Sequence, residues 1–259
     1  MSAALPSDYA AGVSDIDRLA PTRRPAGRPV MRQSWRHLGF LHWEVAAEAL
    51  RPLVPNGLEI DTFEGRAYVG LVPFTMHGVR PTWAPALPAL SRFHEVNVRT
   101  YVHLGGQEPG VYFFSLDAAS RLAVIGARAF WSLPYHFAAM SLRQEGDAIL
   151  YGSSRRWPAP KPAECRLRYR PRGEASAARP GSLEHFLAER YLLYTTSRGR
   201  LLRGRVHHSP YPLQAAECTV LEETLLEAAG ITKPREAPLV HYAAGVDVKV
   251  FPLETSRNC

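Results

Sequence analysis

The run Phe93-His94-Glu95-Val96-Asn97-Val98-Arg99-Thr100-Tyr101-Val102 holds more potential chemistry than any other stretch of the chain. Side chains alternate across a strand. One face therefore presents Phe93, Glu95, Asn97, Arg99 and Tyr101, and the other His94, Val96, Val98, Thr100 and Val102. The valine face must pack on a core. The polar face either meets water or lines a cavity, and composition alone favours water, because antiparallel strands commonly bury one side only. In a cavity, Glu95 would lose its hydration and its pKa would rise, as a general acid or base requires. Arg99 could grip a carboxylate through paired hydrogen bonds, with Asn97 and Tyr101 as further ligand contacts.

A second group is Trp131-Ser132-Leu133-Pro134-Tyr135-His136, where a helix stops at proline and a strand begins with a phenol and an imidazole. Such junctions often sit at cavity rims; the alternative is a packed surface turn. Tyr135 or His136 could polarise a carbonyl. His207 and His208 are adjacent and point opposite ways on a strand, while His241 lies on another. A metal needs three or four convergent ligands, and neither His-x-His nor His-Glu-x-x-His occurs. Hydrogen-bonded core histidines are expected, with His208 and His241 kept as ligand-binding candidates. No metal and no cofactor is implied. Asp117 and Arg121 read as a local cap or ion pair. Ser115, Ser120 and Ser132 show no nucleophile spacing, and P-loop, nucleophile-elbow and dinucleotide fingerprints are missing.

The elements that must position these groups are mostly hairpins. Strands are predicted at Trp35–Trp43, Leu58–Phe63, from Arg66 to about Val79, Phe93–Leu104, Gly110–Asp117, Tyr135–Gln144 and Ala148–Arg156, near Cys165–Arg170, and at Tyr191–Ser197, Leu201–His208, Leu239–Ala243 and Val246–Phe251. Turn signals such as Glu64-Gly65 and Gly105-Gly106 join them. Helices are predicted over Ala46–Leu53, Ser120–Ser132, Ser182–Arg190 and Val220–Ala229. The fold class is α+β, mainly antiparallel β and barrel-like, with a few short helices. Residues 1–29 read as a disordered arm, 30–253 as a single domain and 254–259 as a tail.

Composition narrows the class. Hydrophobic residues make up 46% and charged residues 21% of the 259 residues, ordinary globular values. The three cysteines, Cys165, Cys218 and Cys259, are too scattered for a disulfide framework or a zinc site. No secretory signal and no membrane-spanning run is seen, so the chain reads as soluble and cytoplasmic, with no membrane partner. The net charge of +7 comes almost entirely from dispersed arginines with acids nearby. That pattern reads as a basic surface, not a nucleic-acid site. Assembly as a homo-oligomer is left open.

The runs Leu41–Val45, Leu53–Phe74, Glu95–Val102, Gly110–Val124, Phe186–Thr195, His207–Gln214 and Leu239–Val248 resemble the uncharacterised YqjF-like bacterial family, over nearly all of Trp35–Phe251. That family in turn resembles, distantly, the acetoacetate decarboxylase-like superfamily. Phe93-His94-Glu95 is similar to the aromatic-x-Glu strand that supplies an active-site glutamate there. Ser132–His136 matches the stretch where Gly-Phe-Pro precedes two lysines. The resemblance implies a closed or partly closed antiparallel barrel with a central cavity and turns Glu95, Asn97, Arg99 and Tyr101 inward. It also marks a departure. Imine formation needs an amine, which Tyr135 and His136 cannot supply, and Lys161, Lys233 and Lys249 sit on loops or a terminal strand. The expectation is a cavity for a small carbonyl or carboxylate compound. Its chemistry would be of lyase or isomerase type without a Schiff base. The alternative is a non-catalytic binding or sensing module.

Overall fold

Alternating apolar and polar residues, broken by Gly-rich turns, give a chain that folds almost wholly as strands. The structure is a computed structural model and describes residues 16–87 and 91–256. The strands are β1 (Met31–Val45), β2 (Glu59–Ile60), β3 (Ala67–Pro81), β4 (Phe93–Leu104), β5 (Gln107–Ala118), β6 (Tyr135–Glu145), β7 (Ala148–Trp157), β8 (Glu164–Ser176), β9 (Leu192–Ser197), β10 (Arg200–His207), β11 (Leu213–Glu223), β12 (Leu239–Val250) and β13 (Glu254–Thr255). The α-helices are α1 (Ala47–Leu50), α2 (Arg121–Trp131), α3 (Leu183–Ala188) and α4 (Leu225–Ala228). No helix among the described residues is long and apolar enough to cross a membrane.

All thirteen strands form one sheet in the order β13-β10-β9-β5-β6-β7-β8-β11-β12-β1-β3-β4-β2. Pairing of β5 with β4 closes it into a ring. Pairing is antiparallel except where β5 meets β6 and β9. β5 gives one edge to β4 and divides the other, Val111 and Tyr112 going to β9 and Leu116–Ala118 to β6. β12 does the same, with β1 on one edge and β11 and β10 sharing the other. The wall β12-β1-β3-β4-β5 is therefore backed on both faces, and both faces are apolar or buried. Leu41, Val69, Leu71, Val96 and Val98 join Tyr151, Leu167 and Tyr169 in one core. Leu38, Phe40, Val72, Phe74 and Phe93 join Leu116, Val206 and Val248 in another.

Several expectations need correction. Val220–Ala229 is not one helix: β11 runs to Glu223, and only Leu225–Ala228 is helical. Leu221, Glu222 and Glu223 suit a helix, but here they pair with Leu167, Arg166 and Cys165 of β8. The Glu223 carboxylate then accepts from the Leu226 amide at 3.0 Å, at the start of α4. Leu239–Ala243 and Val246–Phe251 are a single strand, and Leu58–Phe63 contributes only Glu59–Ile60. Of the arm, residues 1–15 lie outside the described residues. Within the remainder, Pro21 is buried and Arg18 bonds to Asp61 and the Thr62 carbonyl. Glu254–Thr255, assigned to a tail, pair with Leu202 and Arg203; residues 257–259 are outside the described residues.

Candidate functional site

β4 divides its side chains between the two compartments. Val96 and Val98 enter the core shared with Tyr151, while Glu95, Asn97 and Arg99 enter a cavity of about 300 Å³. All three are at least nine-tenths buried. Antiparallel exposure is overturned as the outcome for this face because α2, β9 and β10 cover it; their residues Ala127, Leu192 and Val206 line the same cavity. The rest of the lining is largely aromatic and aliphatic, including Trp35, Phe40, Phe74, Phe113, Trp131 and Tyr211.

α2 forms a wall because its termini are well defined. The Ser120 hydroxyl caps it by accepting from the Ala123 amide at 3.3 Å, and Ser132 leaves it in the left-handed region at φ 51°. Small residues Ala123, Gly126 and Ala127 face the cavity. Phe130 lines it as well and is 81% exposed, so it stands at the rim.

The Tyr135 hydroxyl donates to Glu95 Oε2 at 2.8 Å. Burial pushes the Glu95 carboxyl up to about 8; the Tyr135 hydrogen bond opposes this, and the charge of Asp117 adds to it. The group is therefore largely protonated at neutral pH. Burial also raises the Tyr135 phenol well above its usual value, so the phenol is the donor. With Oε2 occupied, the second oxygen of the protonated carboxyl is the one able to donate to a ligand.

At the other end lies a cluster of arginines. Arg99 donates from Nη2 to the Leu187 carbonyl at 3.0 Å, and its guanidinium lies 5.7 Å from the Tyr101 ring. Arg190 also lines the cavity, held by Asp61 at 2.7 Å and by the Phe186 carbonyl. Arg18 shares the same Asp61 carboxylate. Four buried polar atoms on the cavity-lining side chains have no partner among the described residues: Trp35 Nε1, Asn97 Oδ1, Arg99 Nε and Arg190 Nη2. Buried polar groups are usually bonded, so these four are unusual.

Of the residues expected at the site, Glu95, Asn97, Arg99 and Tyr135 line one cavity and four do not. Tyr101 points the same way along β4 but is consumed by structure. Its hydroxyl donates to the Leu187 carbonyl at 2.7 Å and so accepts from His42 Nε2 at 2.7 Å. Burial and the Arg99 charge hold His42 neutral. Gly70 permits this arrangement, since a β-carbon there would lie 2.9 Å from His42 Cδ2. His136 follows Tyr135 on β6 and faces the opposite way, with its Nδ1 at 3.0 Å from the Pro158 carbonyl. His208 is buried behind the cavity wall, stacked on Tyr191 at 4.4 Å, and burial lowers its pKa to about 4. His241 is half-buried on β12 opposite Phe40, away from the lining. Asp117 does not pair with Arg121. It takes both arms of Arg155 at 2.7 Å, fully buried, while Arg121 lies over the Phe137 ring.

Arg190 is the contributor that sequence reading missed. Its signal is the charged pair Glu189-Arg190 inside the apolar run Phe186–Leu193. Among the described residues no three His, Cys, Asp or Glu side chains converge as metal ligands. Lys161 is exposed, Lys233 pairs with Glu223, and Lys249 is opposite Arg32 and His207; none lines the cavity. Dense arginines on the outer strands are matched across strands, as in Arg170 and Arg172 with Glu217 and Arg166 with Glu222.

The acetoacetate decarboxylase of Legionella pneumophila superposes with a TM-score of 0.62 at 12% identity, over 98% of this chain and 99% of that one. The enduracididine biosynthesis enzyme MppR complexed with pyruvate gives 0.61 at 12% identity, over 90% and 92%. These likenesses concern the fold. At the sequence level, the uncharacterized protein YqjF of Bacillus subtilis (strain 168) is 45% identical over 229 residues, 88% of this chain and 93% of that protein. The DUF2071 model, described as an uncharacterized conserved protein, matches residues 32–247. The chain belongs to the DUF2071 family and has an acetoacetate decarboxylase-like fold.

Proposed function

We propose that the cavity binds a small carbonyl or carboxylate compound and that Glu95 moves a proton on it, in lyase- or isomerase-type chemistry without a Schiff base. The observation that supports this most directly is the Tyr135–Glu95 pair, a carboxyl raised to about 8 within an apolar cavity. Such a group can give or take a proton near neutral pH. It donates to a carbonyl oxygen from its free oxygen, polarising the carbon–oxygen bond as charge develops. Arg99 and Asn97 orient the compound. Neighbours of this fold with pyruvate or acetoacetate in their names agree with an oxo-acid class, through the fold only.

The test is turnover of a panel of oxo and unsaturated acids by the wild type and Glu95→Gln. The variant should lose turnover with its fold intact. Activity retained in Glu95→Gln would remove Glu95 from the mechanism. Borohydride with acetoacetate should leave no adduct, and trapping on any lysine would restore Schiff-base chemistry. A second reading, ligand binding without turnover, draws on the largely apolar lining. Mass spectrometry of gently purified protein finding a retained compound, unchanged on incubation, would favour it.

A further inference from the structure

The two polar ends of the cavity are far apart. Glu95 and Arg99 are four residues apart on one strand, so their α-carbons are about 13 Å apart at the usual strand rise. The Arg99 guanidinium is tied to the Leu187 carbonyl in α3 and lies between two rings, 5.7 Å from Tyr101, the next residue on that face, and 5.8 Å from Phe40. Arg190 lies over the same Tyr101 ring at 4.9 Å. The rest of the lining is largely apolar, with Phe40, Val72 and Phe113 among its walls.

The charge balance at the α3 end is also one-sided. Arg18, Arg99 and Arg190 gather there around the single carboxylate of Asp61. Asp61 ties two of the three, Arg18 and Arg190, while Arg99 bonds to a neutral carbonyl. A buried cation facing only a carbonyl is costly, and an anion is the group that relieves it. The unpartnered Arg99 Nε and Arg190 Nη2 are the donors such an anion would use.

Building on the reading of Glu95 as the reactive end, the geometry points to an elongated amphipathic carboxylate as the ligand class. Its carboxylate sits between Arg99 and Arg190, its apolar body spans the Phe40–Phe113 walls, and its far end reaches Glu95 and Tyr135. The length between carboxylate and reacting group is what this cavity selects.

The probes are octanoate, its neutral isostere octanamide, and acetoacetate, titrated against the full chain by calorimetry. Octanoate should bind about ten-fold or more tightly than octanamide, the scale of one charge-assisted contact, and more tightly than acetoacetate. In Arg99→Met the octanoate preference should fall to about two-fold or less while octanamide binding persists, which also shows that the variant is folded. Octanamide binding as well as octanoate, or acetoacetate binding better than octanoate, overturns the elongated-carboxylate assignment. Acetoacetate binding that is lost in Glu95→Gln would then leave the Glu95 reading standing alone. Failure of all three probes to bind removes both.

Discussion

The Tyr135 hydroxyl and the Glu95 carboxyl, from β6 and β4, meet at 2.8 Å within a cavity. The phenol donates and keeps the carboxyl from rising further. This coupling makes the site measurable without a known substrate.

Glu95 gives a stability signature with a definite sign. Its folded pKa of about 8 exceeds the ordinary 4.5, so the folded state keeps a proton that the unfolded chain has lost between those values. Stability should therefore fall as pH rises through that window and level off above about 8, by up to a few kcal/mol. Glu95→Gln should flatten the profile and be the more stable protein at alkaline pH. Melting temperatures of both proteins across the window would test this; parallel profiles would mean that Glu95 ionises freely.

Tyr135→Phe should move Glu95 in a known direction. The lost hydrogen bond favoured the carboxylate, so its removal should raise the Glu95 pKa, by about one unit. Carbon NMR of labelled glutamate, following the buried carboxyl through pH, reads this directly. A downward shift would contradict the donor assignment.

Tyr101→Phe should cost about 1–3 kcal/mol in denaturant unfolding, because the buried His42 Nε2–H loses its acceptor. Ligand binding in the folded variant should change little, since Tyr101 is outside the cavity lining. A large binding loss at unchanged stability would return Tyr101 to the site.

Asp117→Asn should cost about 3–5 kcal/mol, by leaving Arg155 charged and unpaired in the interior. Arg121→Ala should cost about 1 kcal/mol or less, the value of its contact over Phe137. Equal costs for the two would revive a local Asp117–Arg121 pair.

These outcomes bear on what the sequence made readable. The two faces of β4 and the Phe93–Leu104 limits followed from alternation and turn signals alone, because they depend on neighbours along the chain. The enclosure of Glu95 did not: alternation says which residues share a face, not what covers it. Asp117 was paired with Arg121 on sequence nearness, while its partner Arg155 arrives through the β5–β6–β7 pairings. Arg190 escaped because Asp61, which holds it, is 129 positions away in the chain. His136 was grouped with Tyr135 although consecutive strand residues must part company.

The doubly backed wall has a consequence for how this protein can change. A one-residue slip of β4 would drive Glu95 and Arg99 into the packing around Tyr151 and deliver valines to the cavity, so misregistered folding is heavily penalised. Stability and ligand preference are thus assigned to alternating positions of the same strand. Even-numbered residues from 94 to 102 anchor the scaffold, while positions 95, 97 and 99 are open to substitutions that retune what is bound. Changes at those positions can therefore accumulate while the framework stays almost unaltered.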